Sequence, residues 1–190
     1  METKNIMIVG VGGQGSLLAS KMLGHLLLSE GYDVKVSEVH GMSQRGGSVV
    51  TYVRYGSKVS SPVIDNGEAD YIVSFELLEA ARWLPFLKKD GQIVTNIQQI
   101  DPMPVITGAA VYPEDLVAKL KNSGAKVDAL DCLKLAEEAG SAKAVNLVLM
   151  GRLSHYFDLP EEAWMRSLEA NVPAKFLELN KKAFELGKNA

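Results

Sequence analysis

The chain has 190 residues, 47% hydrophobic and 23% charged, which suits one globular domain, or one domain with a helical appendage. Its net charge of −3 argues against a general nucleic-acid binder, because neutralising phosphates needs a clustered basic face. Its single cysteine, Cys132, excludes an internal disulfide framework and a self-contained iron–sulfur cluster, which normally takes four thiolates.

In chain order, Ile6 to Val9 is a short apolar run ending in glycine, the pattern of a buried parallel strand. Ser16 to Glu30 carries Leu17, Leu18, Met22, Leu26 and Leu27 at helical spacing, and Gly31 stops it. Asp33 to Val39 is a second strand. A doubly wound domain would continue with a helix, but a polar glycine-rich loop follows, His40 to Gly47, and then a β-branched, aromatic strand, Ser48 to Tyr55. Two strands in succession predict a hairpin-like excursion. Ala69 to Phe75 resumes the parallel pattern and ends at Glu76. Leu77 to Leu87 reads as a helix bent or restarted at Pro85, and Gly91 to Asn96 as a strand. Asp101-Pro102-Met103-Pro104 is expected as an extended connection, with Val105 to Ala110 a candidate short strand. Pro113 to Asn122 is a helix with Pro at its start, and Lys126 to Leu130 is the last strand.

From Asp131 onward the pattern is helical: Asp131 to Ala139, Ala142 to Phe157, Glu161 to Asn171 and Ala174 to Leu186. Ala142 to Phe157 is apolar nearly all round and should be buried against several neighbours. The expectation is α/β: a Rossmann-like, mostly parallel sheet with a β-hairpin excursion after the second strand and a helical C-terminal third, about 131–190. Residues 1–190 are read as a single domain. No apolar run reaches the roughly 18–20 residues that cross a bilayer. Glycines interrupt the N-terminal strand too soon for a signal peptide. The chain is therefore expected in the cytoplasm, with no membrane or nucleic-acid partner.

Gly10, Gly12 and Gly15 satisfy G-x-G-x-x-G between a strand and a helix. Absent Cβ atoms let the backbone turn sharply and approach an anion, and the helix N-terminus offers free N–H groups. Gly13 adds a permissive position, and Gln14 is a candidate partner for a ligand or a neighbouring loop. Tight strand–helix packing explains the glycines equally well. Glu38 ends the second strand, where an acid binds a dinucleotide ribose; the alternative is a carboxylate that accepts N–H bonds from the turn after it. The loop His40-Gly41-Met42-Ser43-Gln44-Arg45-Gly46-Gly47 places three glycines around His, Gln and Arg, and Arg45 can grip a carboxylate or phosphate bidentately. Such a loop points to function, toward a ligand or another subunit. His25 and His155 read as structural, Cys132 as an inert thiol, and Asn146 as a polar residue bonded across to a sheet-end backbone group. No spacing matches a zinc site and no catalytic triad is recognisable.

The Gly10–Gly15 turn, the wording Ser37-Glu38-Val39-His40-Gly41-Met42-Ser43-Gln44-Arg45-Gly46-Gly47, the strand Ser48 to Tyr55, and Ala144-Val145-Asn146-Leu147 together resemble the gamma-type subunit or domain of 2-oxoacid:ferredoxin oxidoreductases. Within that family the 38–47 wording resembles the indolepyruvate branch. The resemblance spans nearly the whole chain. It implies an enzyme that decarboxylates an aryl 2-oxoacid such as indolepyruvate on thiamine diphosphate. Electrons pass through [4Fe-4S] clusters to ferredoxin, and an aryl-acetyl-CoA is formed. It places thiamine diphosphate and the clusters on a larger partner subunit, which alone meets ferredoxin, and leaves this chain with no catalytic or metal-binding residue, inactive by itself.

Two roles stay open under the resemblance. Gly10, Gly12, Gly13, Gln14, Gly15 and Arg45 hold coenzyme A, or the domain mainly shapes an interface. Glu38, His40, Met42, Ser43, Gln44, Gly46 and Gly47 form the interface or ligand loop. The rival readings are a self-sufficient NAD-dependent dehydrogenase and a nucleotide-binding interaction module. An isolated chain with its partner face uncovered could form a homodimer.

Overall fold

The computed structural model describes residues 2–38 and 46–190. One six-stranded sheet, in the order β2-β3-β1-β4-β5-β6, organises them. Its strands are β1 (Lys4–Val11), β2 (Asp33–Glu38), β3 (Ser48–Gly56), β4 (Ala69–Ser74), β5 (Leu87–Asn96) and β6 (Lys126–Leu130). The helices are α1 (Ser16–Ser29), α2 (Leu77–Arg82), α3 (Met103–Ile106), α4 (Leu116–Asn122), α5 (Cys132–Ala139), α6 (Val145–Ser154), α7 (Glu161–Asn171) and α8 (Leu177–Lys188). Neighbours from β1 through β4 and β5 to β6 are parallel, whereas β3 runs antiparallel to both β1 and β2.

The expected hairpin excursion is present, and it has a topological consequence. β3 inserts between β1 and β2, with Val53 opposite Ile6 on one side and Val36 on the other. β2 therefore runs parallel to β1 but lies two strand spacings away, about 9–10 Å.

β1 is central, which explains its unbroken apolar run. Ile6 and Ile8 point to one face, where α1 and α5 to α8 pack. Met7 and Val9 point to the other, covered by α2 and α4. All four are fully buried, as in a strand covered on both sides. Helix α6 is buried nearly all round, as its composition predicts. It crosses α8 with backbone against backbone: a Cβ on Gly151 would stand 2.0 Å from Phe184 O, and one on Gly187 would stand 2.0 Å from Val148 O. Arg152 Nε (2.5 Å) and the Tyr156 hydroxyl (2.7 Å) both donate to Asp128, which ties the end of α6 to β6.

Several expected boundaries move. The helix expected over Leu77–Leu87 ends at Arg82; Pro85 sits in a tight 3₁₀ turn, Leu84–Phe86, and β5 begins directly at Leu87. Val105–Ala110 is not a strand. Met103-Pro104-Val105-Ile106 forms one helical turn, because Pro104 lies at its start, where a missing N–H and a fixed φ are tolerated. Only Asp101-Pro102 of the expected connection stays outside that helix. Helix α4 starts at Leu116 rather than Pro113, after Asp115 adopts a left-handed φ of 54°.

Candidate functional site

The carboxyl end of β1 runs straight into the glycine turn. Gly12 N–H donates to Gly47 O at 2.9 Å, and Gly46 N–H donates to Gly12 O at 3.2 Å. The two segments singled out in the sequence thus meet at one edge of the sheet, through their described ends. Val39, His40, Gly41, Met42, Ser43, Gln44 and Arg45 lie outside the described residues, so the expectations for His40, Met42, Ser43, Gln44 and Arg45 have no structural counterpart.

The glycines of the turn serve different purposes. A Cβ on Gly10 would lie 2.9 Å from both Gln14 Oε1 and Phe75 Cβ, so Gly10 answers to packing. Gly13 has φ of 103° and open space where its Cβ would be, so here the need is conformational. Gly15, at φ of 89°, is the N-cap of α1. Among the described residues no side chain caps this helix, and no acidic residue stands in its first turn to offset the positive end of its dipole.

Gln14 turns inward. Its Oε1 accepts from Val11 N–H (2.8 Å), and its Nε2 donates to Phe75 O (3.1 Å) and lies 3.5 Å from Gln98 Oε1. Asn96 extends this amide network: Nδ2 donates to Phe75 O (3.2 Å) and Gln98 Oε1 (3.3 Å), and Oδ1 accepts from Cys132 N–H (3.2 Å). The ends of β1, β4 and β5 and the start of α5 are thereby locked together. Glu38 accepts the Ser20 hydroxyl at 2.5 Å, which ties β2 to α1. It is not beside the glycine turn, because β3 occupies the position that a dinucleotide fold gives its second strand.

Two buried carboxylates at the same edge went unread in the sequence. Glu76 Oε2 caps α2 by accepting Glu79 N–H (2.8 Å), while its Oε1 accepts Ile100 N–H (3.1 Å) and the Tyr112 hydroxyl. Burial, then this hydrogen bond, raises the Tyr112 pKa well above its ordinary value. Glu79 accepts the Ser48 hydroxyl (2.5 Å) and Trp83 Nε1 (3.3 Å) and pairs with Arg82 (3.1 Å). The available signal was an acid just after a strand and three residues before another Glu, a capping pattern.

Clefts open on either side of the turn. One, about 350 Å³, lies between Gly12–Leu17 and Val49–Thr51 of β3. The other, about 490 Å³, lies between Gly13–Gly15, Gln98 and the stretch holding Ala142, Lys143 and Val145. Asn146 does not bond to a sheet-end backbone group as expected. Its Oδ1 accepts Leu147 N–H (3.0 Å), and its Nδ2 stands 3.1 Å from where a Gly15 Cβ would be.

Cys132 is buried, and burial, with Asp131 and Asp128 nearby, pushes its thiol pKa far up. One such thiol does not fit a [4Fe-4S] cluster, and among the described residues no group of three or more His, Cys, Asp or Glu could hold a metal. No helix among them is long and apolar enough to cross a membrane.

Residues 5–190 match the family described as pyruvate ferredoxin/flavodoxin oxidoreductase. The chain is 46% identical to the indolepyruvate oxidoreductase subunit IorB of Thermococcus kodakarensis, covering 100% of this chain and 96% of that one. It is 37% identical to the IorB subunit of Archaeoglobus fulgidus, covering 97% and 94%. Among solved structures, the pyruvate oxidoreductase subunit PORC of Thermotoga maritima superposes with a TM-score of 0.76 at 21% identity, covering 100% and 97%. The 2-oxoglutarate:ferredoxin oxidoreductase of Magnetococcus marinus, solved with 2-oxoglutarate, coenzyme A and succinyl-CoA bound, matches with a TM-score of 0.75 at 20% identity; all of this chain corresponds to 31% of that one. The glycine turn, the inserted antiparallel strand and a likeness running the length of the chain lead to one conclusion: this protein belongs to the pyruvate ferredoxin/flavodoxin oxidoreductase family.

Proposed function

We propose that this chain is the small, cluster-free subunit of an indolepyruvate:ferredoxin oxidoreductase, which turns an aryl 2-oxoacid, coenzyme A and oxidised ferredoxin into an aryl-acetyl-CoA, CO₂ and reduced ferredoxin. The observation that carries this reading is the 46% identity, over the full chain, to an indolepyruvate oxidoreductase subunit. Residues 1–190 act as one gamma-type domain in the cytoplasm.

Thiamine diphosphate, on the larger partner subunit, supplies the decarboxylation chemistry when bound, and [4Fe-4S] clusters there carry electrons to ferredoxin. This chain's residues do something else. The glycine turn Gly10–Gly15 and Arg45 hold the phosphates of coenzyme A at the sheet edge, while Glu38, His40, Met42, Ser43, Gln44, Gly46 and Gly47 form the loop that meets the partner or the ligand. Gln14 contributes indirectly, through the amide network that fixes the turn. The rival NAD-dependent reading loses its main support, because Glu38 is bonded to Ser20 and separated from β1 by β3. The isolated chain, with its partner face uncovered, self-associates as a homodimer.

Co-expression with a larger subunit that carries thiamine diphosphate tests the reading. The two proteins should co-purify, and indolepyruvate- and coenzyme A-dependent reduction of ferredoxin should require both. Oxidation of a substrate by this chain alone, or saturable NADH binding to it, would overturn it.

A further inference from the structure

The three most exposed large apolar side chains among the described residues stand in one short stretch: Met103 (67%), Ile106 (65%) and Val111 (85%). The stretch follows β5 and is held at both ends by one buried carboxylate. Glu76 Oε1 accepts Ile100 N–H at the start and the Tyr112 hydroxyl at the end, and Leu78 N–H donates back to that hydroxyl (3.0 Å). Between these anchors the backbone closes on itself. Thr107 N–H donates to Met103 O (2.9 Å), Gly108 takes a positive φ of 76°, and Ala110 N–H returns to Pro104 O (3.0 Å), which brings Val111 back toward the turn α3. The stretch is thus fixed at its roots and bonded within itself, yet its largest apolar side chains face outward. Such side chains add nothing to the core and lower solubility, the mark of a surface that is buried in an assembly.

Position and charge point to what covers it. A cleft of about 280 Å³ is lined by Gly46–Ser48 together with Asp101–Pro104, so α3 stands next to the root of the loop read above as meeting the partner. From Gly91 to Ala118 the sequence has no Lys, Arg or His, while exposed Asp101, Glu114 and Asp115 bracket the apolar residues. Arg82, in the same cleft, is paired with Glu79. We propose that the stretch Asp101–Asp115 is a docking surface for the larger subunit, which meets it with an apolar patch flanked by basic side chains. This rests on the reading that the chain is the small subunit of a two-subunit oxidoreductase. A second copy laid on the same stretch sets acid against acid, so it is the weaker occupant and gives way to the larger subunit. An anionic lipid surface is disfavoured for the same reason.

The test measures, by calorimetry, the affinity of the full chain for the separately purified larger subunit, alongside the melting temperature and the self-association of the chain alone. A variant combining Met103→Ser, Ile106→Ser and Val111→Ser changes only exposed side chains, so it should melt with the parent. Its affinity for the larger subunit should fall about a hundredfold or more, as when several apolar anchors leave an interface. Should it melt lower, Val111→Asp, at the most exposed of the three positions, repeats the measurement with an expected loss of about tenfold. Asp101→Lys with Glu114→Lys should weaken binding at low salt, and the difference should shrink as salt rises. Parental affinity in the apolar variants would overturn the docking surface and leave the two-subunit reading intact. A parent chain that does not bind the larger subunit at all would overturn both. Apolar variants that keep the complex but lose self-association would give the stretch to a second copy, and variants that keep it but lose binding to phosphatidylserine vesicles would give it to a membrane; either result overturns the proposal. Unchanged or tighter binding after the charge reversals would overturn the basic flank.

Discussion

Glycines at two places in this protein do opposite work. Where α6 crosses α8, Gly151 and Gly187 have no room for a side chain, since each would press a Cβ to 2.0 Å from a carbonyl oxygen of the facing helix. At the sheet edge, Gly13 has nothing within 4 Å of its Cβ position. The interior pair is explained by the protein itself. The turn glycine is explained only by its backbone conformation and by whatever approaches from outside. A glycine facing packed backbone is therefore a statement about packing, and one facing open space at positive φ is a statement about backbone conformation.

The sharpest way to break this contrast is substitution at the crossing. Gly151→Ala or Gly187→Ala should destabilise the chain by about 3 kcal/mol or more, the upper range for overpacking against rigid backbone. Urea unfolding would measure it, and a wild-type midpoint in either variant would mean that the helices do not touch backbone to backbone. Gly10→Ala belongs to the same class but is milder, because one of its two close neighbours is the movable end of Gln14. A cost of about 1–3 kcal/mol is expected, with disruption of the Gln14 amide bonds visible in the NMR side-chain amide signals.

On the other side of the contrast stands Arg45→Ala. It should leave the melting temperature unchanged and lower the coenzyme A affinity or turnover of the assembled enzyme several-fold, as removal of one bidentate contact does. Unchanged steady-state constants would take Arg45 out of the site.

The smallest effect is electrostatic. Asp33 is held below its ordinary pKa by its hydrogen bond with Lys35 and by Val59 N–H. A lowered folded pKa means that the contribution is present above the unfolded carboxylate value and disappears as pH falls through the folded one. Asp33→Asn should therefore be slightly less stable than the parent at pH 7, and the gap should close in acid. A gap that widens in acid would reverse the assignment.

Much of the site was legible because its chemistry is local. The turn from Gly10 to Gly15 follows from a short apolar strand meeting a helix, and its meeting with Gly46 and Gly47 is consistent with both segments lying at strand ends. Less legible was anything that depends on which strand lies beside which. Periodicity finds β2 and β3 but carries no information on lateral order, so the ribose-ligand and anchoring readings of Glu38 stay equivalent in the sequence, and it is β3, lying between β2 and β1, that removes the first. Val105–Ala110 misled in a different way: Val, Ile and Thr favour strands, yet no sheet edge receives them and Pro104 starts a helical turn. Gln14 with Gln98, Asn96 with Phe75, and Glu76 with Tyr112 pair across 21 to 84 residues of chain, beyond the reach of any local pattern.

By itself the sequence determined the α/β class, a buried central strand, the apolar α6, and a chain with too few thiols to carry a cluster. These follow from composition and from side-chain periodicity, which act over a few residues. Only the tertiary structure decided the place of β3, the inward turn of Gln14, and the approach of Asn146 and Lys143 to the glycine turn. Those depend on long-range packing, where burial and hydrogen-bond satisfaction select among arrangements that the local pattern leaves equivalent.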